Sequence, residues 1–396
     1  MTTLELFLYI LLSILFQVTV LVLSAFYRHW QNYQALRMQV AGITRLPLAP
    51  VKNTFPAWEG FLPFRVVRKV YEDPDRTICS FHLQPEDRQP PADFKPGQYL
   101  TFQIATADRL LLRCYSLSDR SGLDHYRVTI KRLLDGRGSN HFHQQVNEGD
   151  MVQVKAPGGH FILEPGSDPV VLIAGGIGIT PMLSMINAAL DQEQPREIHL
   201  FYGVRNSGEQ AMKEYLEGLA QSHHDFHLHV SYSKPLAQDL RGRDYHHVGY
   251  VDITLLRLTL SLRPYHFFVC GPVAMMESLL PALEGWGVPP DRIHQESFGP
   301  ASLVKPVLDS GPVPSVTFQR SAQTLPWEAA CGSLLAFAEK NHIPIDSGCR
   351  AGACGTCQTV IVSGEVDYTH PPEFSLSPGT CLTCICRPKR DLTLLA

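Results

Sequence analysis

The stretch "CRAGACGTC", residues 349–357, sets three cysteines in nine residues with the spacing Cys349-x4-Cys354-x2-Cys357. Three more, Cys381, Cys384 and Cys386, follow in "CLTCICRP". Thiols this close make a disulfide, a metal site or nothing. A cluster of two irons and two sulfides needs four thiolates. One loop can supply three, and a distant cysteine then clamps the group to the core. Gly348, Gly352 and Gly355 interleave the loop, so backbone N–H groups can approach the sulfurs and offset their charge. Zinc is the rival, though zinc ligands more often come as paired C-x2-C sets. Cys331 stands at the entry to a helical stretch and reads as a core residue.

A second group of residues suits nucleotides. "DGRGSN", residues 135–140, is a glycine turn whose backbone N–H groups suit a phosphate. "LIAGGIGITPML" follows an apolar strand and opens a helix, so its glycines let a phosphate reach the N–H groups of the helix start. Pro181 stands where the G-x-G-x-x-G fingerprint would have its last glycine. "RCYSLS", "FVCGPVAMM" and "ESFGP" complete the set. Each is weak alone; their order and spacing carry the signal.

Two resemblances follow from these residues. The cysteine loop and the stretch before it, 313–396, resemble the plant-type [2Fe–2S] ferredoxin domain, which implies a β-grasp fold. The implied ligands are Cys349, Cys354, Cys357 and, from "LTC", Cys384, with Cys386 and Cys381 as alternatives for the fourth. Residues 58–300 resemble the ferredoxin-NADP reductase family, above all the reductase part of flavohaemoglobins. The resemblance implies that Arg113 neutralises a flavin pyrophosphate, that Tyr115 contacts the ribityl chain or ring, and that Ser116 hydrogen-bonds near the flavin N5. Lys131 would flank the flavin, and Gly138, Ser139 and Asn140 would donate backbone N–H groups to the pyrophosphate. "GGIGITP" matches the family's GGxGxTP pattern, with Gly175, Gly176, Gly178, Thr180 and Pro181 at the nicotinamide nucleotide. Gly271 and Pro272 belong to the family's second nicotinamide segment, with Cys270 beside the reacting rings, and Phe298 would lie against the flavin. The flavin is expected to be FAD rather than FMN. NADH and NADPH both stay open: Arg205 and Lys234 would suit a 2′-phosphate, and equally suit a solvated surface.

The surrounding text supplies the elements that must position these groups. From Trp58, "FRVVRKVYE", "RTICSFHLQ", "KPGQYLTFQIA" and "YRVTIKRL" alternate as short strands, the pattern of an antiparallel barrel, and "DGRGSN" breaks it. Near Pro165 the period switches. "PVVLIA", a helix through "TPMLSMINAAL", "EIHLFYGV", a helix through "EQAMKEYLEGLA", "FHLHVSYS" and "HFFVCG" predict a parallel α/β sheet. A Pro/Gly/Ser linker precedes "SVTFQR", the helix "GSLLAFAEKNH" and the strand "CQTVIVSGEV". The predicted map is an anchor at 1–28, a linker at 29–56, an FAD-binding barrel at 57–164, an NAD(P)-binding domain at 165–300, a linker at 301–313 and a ferredoxin domain at 314–396.

The N-terminus is of another kind. From Leu6 to Tyr27 there is no charged residue, and roughly 20 apolar residues span a bilayer. A cleavable signal peptide would need a basic start and a shorter apolar core. Arg28, Arg37, Arg45 and Lys52 follow the run, so the catalytic domains are expected on the cytoplasmic side of the cell membrane. That compartment is reducing, which weighs against a disulfide framework for the ten cysteines. The net charge of −4 and the lack of basic runs exclude a nucleic-acid binder by pattern. The seventeen histidines, as in "SHHDFHLH", read as solvated or structural.

Hydride brings two electrons and a [2Fe–2S] cluster takes one; a flavin exchanges either number and connects them. The expected activity is an NAD(P)H-dependent reductase that sends single electrons to a membrane-bound protein acceptor, an oxygenase, hydroxylase or desaturase. Quinone or respiratory-acceptor reduction is the second expectation, and a membrane redox sensor the third.

Overall fold

The computed structural model describes residues 57–58, 60–106, 110–134, 136–192, 196–298, 313–348, 350, 352, 355–369, 372 and 376–396. The expected anchor, the linker at 29–56, most of the linker at 301–313, and Cys349 and Cys354 lie outside them. Among the described residues no helix is long and apolar enough to cross a membrane.

The first domain is a barrel of β1 (Phe61–Tyr71), β2 (Ile78–Pro85), β3 (Tyr99–Ala105), β4 (Leu110–Ser116), β5 (Tyr126–Lys131) and β6 (Met151–Gly158). The strands run antiparallel in the order β4-β3-β6-β1-β2-β5. A bridge between Leu117 and Val128 joins the two ends, which removes the sheet's open edges. Alternating inward residues fill the interior, with Phe64, Phe81, Phe102 and Tyr126 buried there.

"DGRGSN" does more than break the strand pattern. It begins a helix, α1 (Arg137–Gln144). Glycine, serine and asparagine are poor helix formers, so tertiary contacts hold it. Phe142 packs edge-on against Phe81, Phe102 and Tyr115, with ring centroids 5.1–5.4 Å apart. His143 Nε2 shares a hydrogen bond of 2.9 Å with the Ile130 carbonyl. Lys69 Nζ donates to the carbonyls of His143 (3.0 Å) and Val146 (2.6 Å), so a cation sits at the helix's negative C-terminal end.

The second domain holds β7 (Val170–Gly175), α2 (Ile179–Leu190), β8 (Ile198–Val204), α3 (Lys213–Ser222), β9 (Phe226–Tyr232), β10 (His247–Val248), α4 (Ile253–Thr259), β11 (His266–Gly271), α5 (Val273–Gly285) and β12 (Ile293–Ser297). The sheet is parallel in the order β10-β9-β8-β7-β11-β12. β7 is buried at every position, as its continuous apolar sequence requires. Strand order reverses between β7 and β11, which opens the crevice where such sheets bind ligands. Helix α3 begins later than its sequence suggests. Met212 is left-handed (φ 53°), and its N–H donates 2.9 Å to the Glu72 carbonyl of the barrel.

The barrel and this sheet share a polar seam. Asn187 Nδ2 donates to Asp119 (2.9 Å), Arg120 pairs with Asp191 (2.9 Å), and Lys131 pairs with Glu209 (2.8 Å).

The third domain comprises β13 (Ser315–Phe318), β14 (Gln323–Pro326), α6 (Leu334–Lys340), β15 (Gln358–Ser363), β16 (Val366–Tyr368), β17 (Thr380–Leu382), β18 (Cys386–Pro388) and β19 (Leu392–Leu394). Its main sheet runs β14-β13-β19-β15-β17, with β13 and β19 parallel and the other pairs antiparallel. Ser333 caps α6 by accepting from the Ala336 N–H at 3.2 Å. Leu334 and Phe337 then pack on Val316, Phe318 and Leu394. The strand expected from "CQTVIVSGEV" divides at Gly364 (φ 98°), where a Cβ would lie 2.4 Å from the Asp391 carbonyl.

Candidate active site and cluster site

β4 carries Arg113, Tyr115 and Ser116, and α1 starts against them. A Cβ on Gly138 would lie 2.8 Å from Arg113 Cγ and 3.0 Å from the Tyr115 hydroxyl. Only glycine therefore lets the helix start close on this pair. No side chain caps the N-terminus of α1, while Lys69 occupies its other end. The first N–H groups of a helix have no partner within it, so this end is built for an anion beside an arginine, which fits the pyrophosphate of FAD. Burial keeps the Tyr115 phenol protonated. Within the glycine turn the roles differ from those expected. The N–H of Asn140 donates to the Gly136 carbonyl (2.8 Å) and its amide to the Leu134 carbonyl (3.1 Å). Ser139 Oγ accepts from the Leu133 N–H (3.1 Å) and donates to the Gly136 carbonyl (3.1 Å). Both side chains shape the turn, and Asn140's N–H is spent inside it. The backbone N–H groups of Gly138 and Ser139 stand in the first turn of α1.

The nicotinamide motifs meet at the crevice. A Cβ on Gly178 would lie 2.1 Å from the Cys270 carbonyl, and one on Gly175 2.5 Å from Pro272 Cδ. The Gly271 Cα lies 3.3 Å from that same Gly175 position. The glycines thus press the turn after β7 onto the turn after β11. Gly176 takes the left-handed backbone (φ 54°) between them. α2 and α5 both begin without a side-chain cap, at Gly178 and Pro272. Thr180 and Pro181 are buried in the first turn of α2, and Thr180 Oγ1 donates to the Ile177 carbonyl at 3.1 Å.

Ser116 and the strand pair that carries Cys270 meet at the seam through a residue the motifs did not single out. Ser116 Oγ donates to Glu296 Oε2 at 3.5 Å, and Glu296 pairs in register with Cys270. Cys270 is fully buried at the strand end, and that burial pushes its thiol well above the ordinary pKa. Phe298 follows β12 and is 38% exposed. Glu296 lies in "ESFGP", and its role is visible only once barrel and sheet are docked.

Lys131 lies at the end of β5, on the seam between the two domains. Its ammonium pairs with Glu209 Oε2 at 2.8 Å, which ties the barrel to the sheet. Glu209 also takes Arg205, at 3.2 Å. Burial works against the ionised carboxyl, but Lys131 and Arg205 outweigh it and hold the group below its usual range. Arg205 remains 71% exposed, and the Lys234 N–H donates to its carbonyl at 2.8 Å.

In the third domain the cysteines divide into two sets. Cys381 and Cys386 sit in the main core with Val316, Phe318 and Leu334. Cys357 and Cys384 share a separate cluster with Leu335, Leu382 and Ile385. Thr383 ties these two together: its N–H (3.3 Å) and Oγ1 (3.1 Å) both donate to the Cys357 carbonyl. Gly352 is left-handed (φ 79°), and a Cβ there would lie 2.4 Å from Ile385 Cδ1. The loop is thus folded down onto the Cys384 turn. Two buried thiols beside a glycine-lined loop fit a cluster ligated by Cys357 and Cys384.

The flavin turn and the cluster loop meet. A cleft of about 540 Å³ is lined by Arg137 from α1 and by Glu339, His342 and Arg350 of the third domain. Arg350 donates to Glu339 through both terminal nitrogens, which holds the loop against α6.

Comparison with known proteins agrees with this division. Residues 63–162 match the oxidoreductase FAD-binding domain, 172–280 the oxidoreductase NAD-binding domain, and 316–389 the 2Fe-2S iron-sulfur cluster binding domain. A flavohemoprotein of Bacillus cereus is 39% identical over 63% of this chain and 63% of its own length. One from Burkholderia is 34% identical over 69% of this chain and 68% of its own. The chain thus spans about 63% of the length of the former relative. Among solved structures, phthalate dioxygenase reductase is similar over 85% of this chain and 98% of its own, at 27% identity and a TM-score of 0.54. The FAD/NAD-binding domain of nitric oxide dioxygenase from Vibrio cholerae covers 61% of the chain at 28% identity and a TM-score of 0.53. The chain belongs to the flavohemoprotein-related family of FAD- and NAD-binding oxidoreductases, and it carries a 2Fe-2S cluster domain after its flavin and nicotinamide domains.

Proposed function

We propose that this protein is a membrane-anchored NAD(P)H-dependent reductase that delivers single electrons, through FAD and its own [2Fe–2S] domain, to a membrane oxygenase, hydroxylase or desaturase. The observation that carries the proposal is the cleft in which the flavin turn, at Arg137, meets the cluster loop, at Arg350. The likeness to phthalate dioxygenase reductase, which covers 85% of the chain, supports the same order of transfer. The apolar run at 6–27 supports the anchor.

A bound FAD would supply the conversion between the electron pair of NAD(P)H and the single electrons a cluster takes. The chain's own residues position and insulate. Arg113 and the N–H groups of Gly138 and Ser139 would hold the pyrophosphate. Gly175, Gly178 and Gly271 let the two nicotinamide turns close together. Ser116, with Glu296 at 3.5 Å, offers a hydroxyl and a carboxylate at the seam where a proton must be held or moved. Cys349 and Cys354 would complete the ligand set with Cys357 and Cys384.

Affinity capture from detergent-solubilised membranes, with identification of the bound protein, tests the proposal. Recovery of a multi-span oxygenase, hydroxylase or desaturase that turns over only with the reductase and NAD(P)H supports it. Rapid reduction of ubiquinone by the purified protein, with no such partner recovered, would favour a respiratory acceptor instead.

A further inference from the structure

We propose that Glu197, His199 and His227 form a site for one zinc ion at the starts of β8 and β9, the end of the nicotinamide-domain sheet away from the nucleotide crevice. Glu197 precedes β8, His199 is the second residue of β8, and His227 is the second residue of β9. Parallel pairing sets His199 directly beside His227, with their rings 4.6 Å apart. One ligand atom from each of the three residues lies within 4.8 Å of the others. Oε1 of Glu197 is 2.7 Å from His199 Nε2 and 3.9 Å from His227 Nε2. Zinc bonds of about 2.0–2.2 Å in a tetrahedron set neighbouring ligands roughly 3.3 Å apart. The two Glu197 distances, 2.7 and 3.9 Å, bracket that value, and the stacked rings would turn about their Cβ–Cγ bonds to aim both lone pairs at one ion.

The surroundings are those a metal needs. His199 Nδ1 lies 3.3 Å from His229 Nε2, so an Nδ1–H donated there leaves Nε2 as the lone pair facing Glu197 and His227. The His229 ring is itself fixed between His199 and Phe201, stacked at 5.6 and 4.5 Å. Arg263 holds the other oxygen of Glu197, which orients Oε1 toward the imidazoles. Because that arginine already balances the carboxylate, affinity comes mainly from the two imidazoles. This selects a borderline transition metal over magnesium or calcium. The His227 side chain is 42% exposed, which leaves the fourth position to water.

Gly175 at the nucleotide end of β7 aligns with Gly203 near the end of β8, whereas Val170 aligns with Ile198 at its start. The site is thus a whole strand length from the nicotinamide. A zinc ion here would tie β8, β9 and the Arg263 loop together without entering the redox chemistry.

The test uses the full chain with flavin and cluster loaded. Wild type, His227→Ala and His227→Cys are equilibrated with zinc chloride and passed over a desalting column, and zinc is counted by elemental mass spectrometry. The expected result is one zinc per chain more in wild type than in His227→Ala, with the ion kept by His227→Cys, which still offers a ligand. Zinc should raise the melting temperature of wild type and not of His227→Ala, while NADH–ferricyanide activity is the same in all three. Equal zinc in wild type and His227→Ala, or a melting shift that survives that substitution, would overturn the site.

Discussion

Gly138→Ala isolates the contact on which the flavin cradle depends. The new methyl carbon would lie 2.8 Å from Arg113 Cγ, about 0.7 Å inside the distance at which two carbons touch. Overpacking of this kind costs about 1–3 kcal/mol. Without flavin the arginine stem can swing away toward solvent, so the apoprotein should keep most of its stability. With flavin bound the guanidinium is committed, and the strain falls on binding. At about 1.4 kcal/mol per decade, FAD should bind roughly 5- to 150-fold more weakly. Titration of apoprotein with FAD, followed by flavin fluorescence, gives the affinity, and urea unfolding of both apoproteins gives the stability. Gly285→Ala is the control, since a Cβ there meets nothing within 4 Å. FAD affinity unchanged in Gly138→Ala would refute the cradle. So would a loss that appears entirely as apoprotein instability.

Three further outcomes are expected. Lys69→Met removes the cation that caps α1 and should destabilise the barrel by about 1–3 kcal/mol, read as a lower urea midpoint, with FAD affinity reduced because the helix start loosens. His82 is held down to about 4, by burial first and then by His125 and Arg127. It therefore takes up a proton on unfolding, so stability should fall as pH drops below about 6.5 and continue to fall until about 4. The slope from this partly exposed group stays below about 1.4 kcal/mol per pH unit. Urea midpoints across that range should fall less steeply in His82→Gln. A chain beginning near Lys52 should bind FAD and reduce ferricyanide or cytochrome c as fast as the full chain, failing only with a membrane-embedded acceptor, where anchoring supplies effective concentration. Loss of flavin or of soluble-acceptor activity would make the N-terminal segment part of the catalytic fold.

The chemistry was legible in the sequence because its signals are local. The spacing Cys349-x4-Cys354-x2-Cys357, the glycine turn at 135–140 and the two nicotinamide turns each lie within a dozen residues. What escaped depends on partners far along the chain. Helix α1 is unreadable from "GRGSNHFHQ" because Lys69, some seventy residues earlier, caps it and the barrel's aromatics anchor it. The Lys131–Glu209 pair joins residues 78 positions apart, so no local pattern announces it. Glu296 gains meaning only beside Ser116. The histidines of "SHHDFHLH" looked scattered until parallel register set His227 against His199. Helix α5 carries Pro281 inside it, which masked its period.

The central claim is that electrons reach a [2Fe–2S] cluster clamped by Cys384. Anaerobic NAD(P)H should raise one paramagnetic cluster signal per wild-type chain in electron paramagnetic resonance. In Cys384→Ser that signal should be lost or altered while flavin reduction and ferricyanide activity persist, and in Cys386→Ser it should remain. An unaltered signal in Cys384→Ser together with its loss in Cys386→Ser would contradict the account.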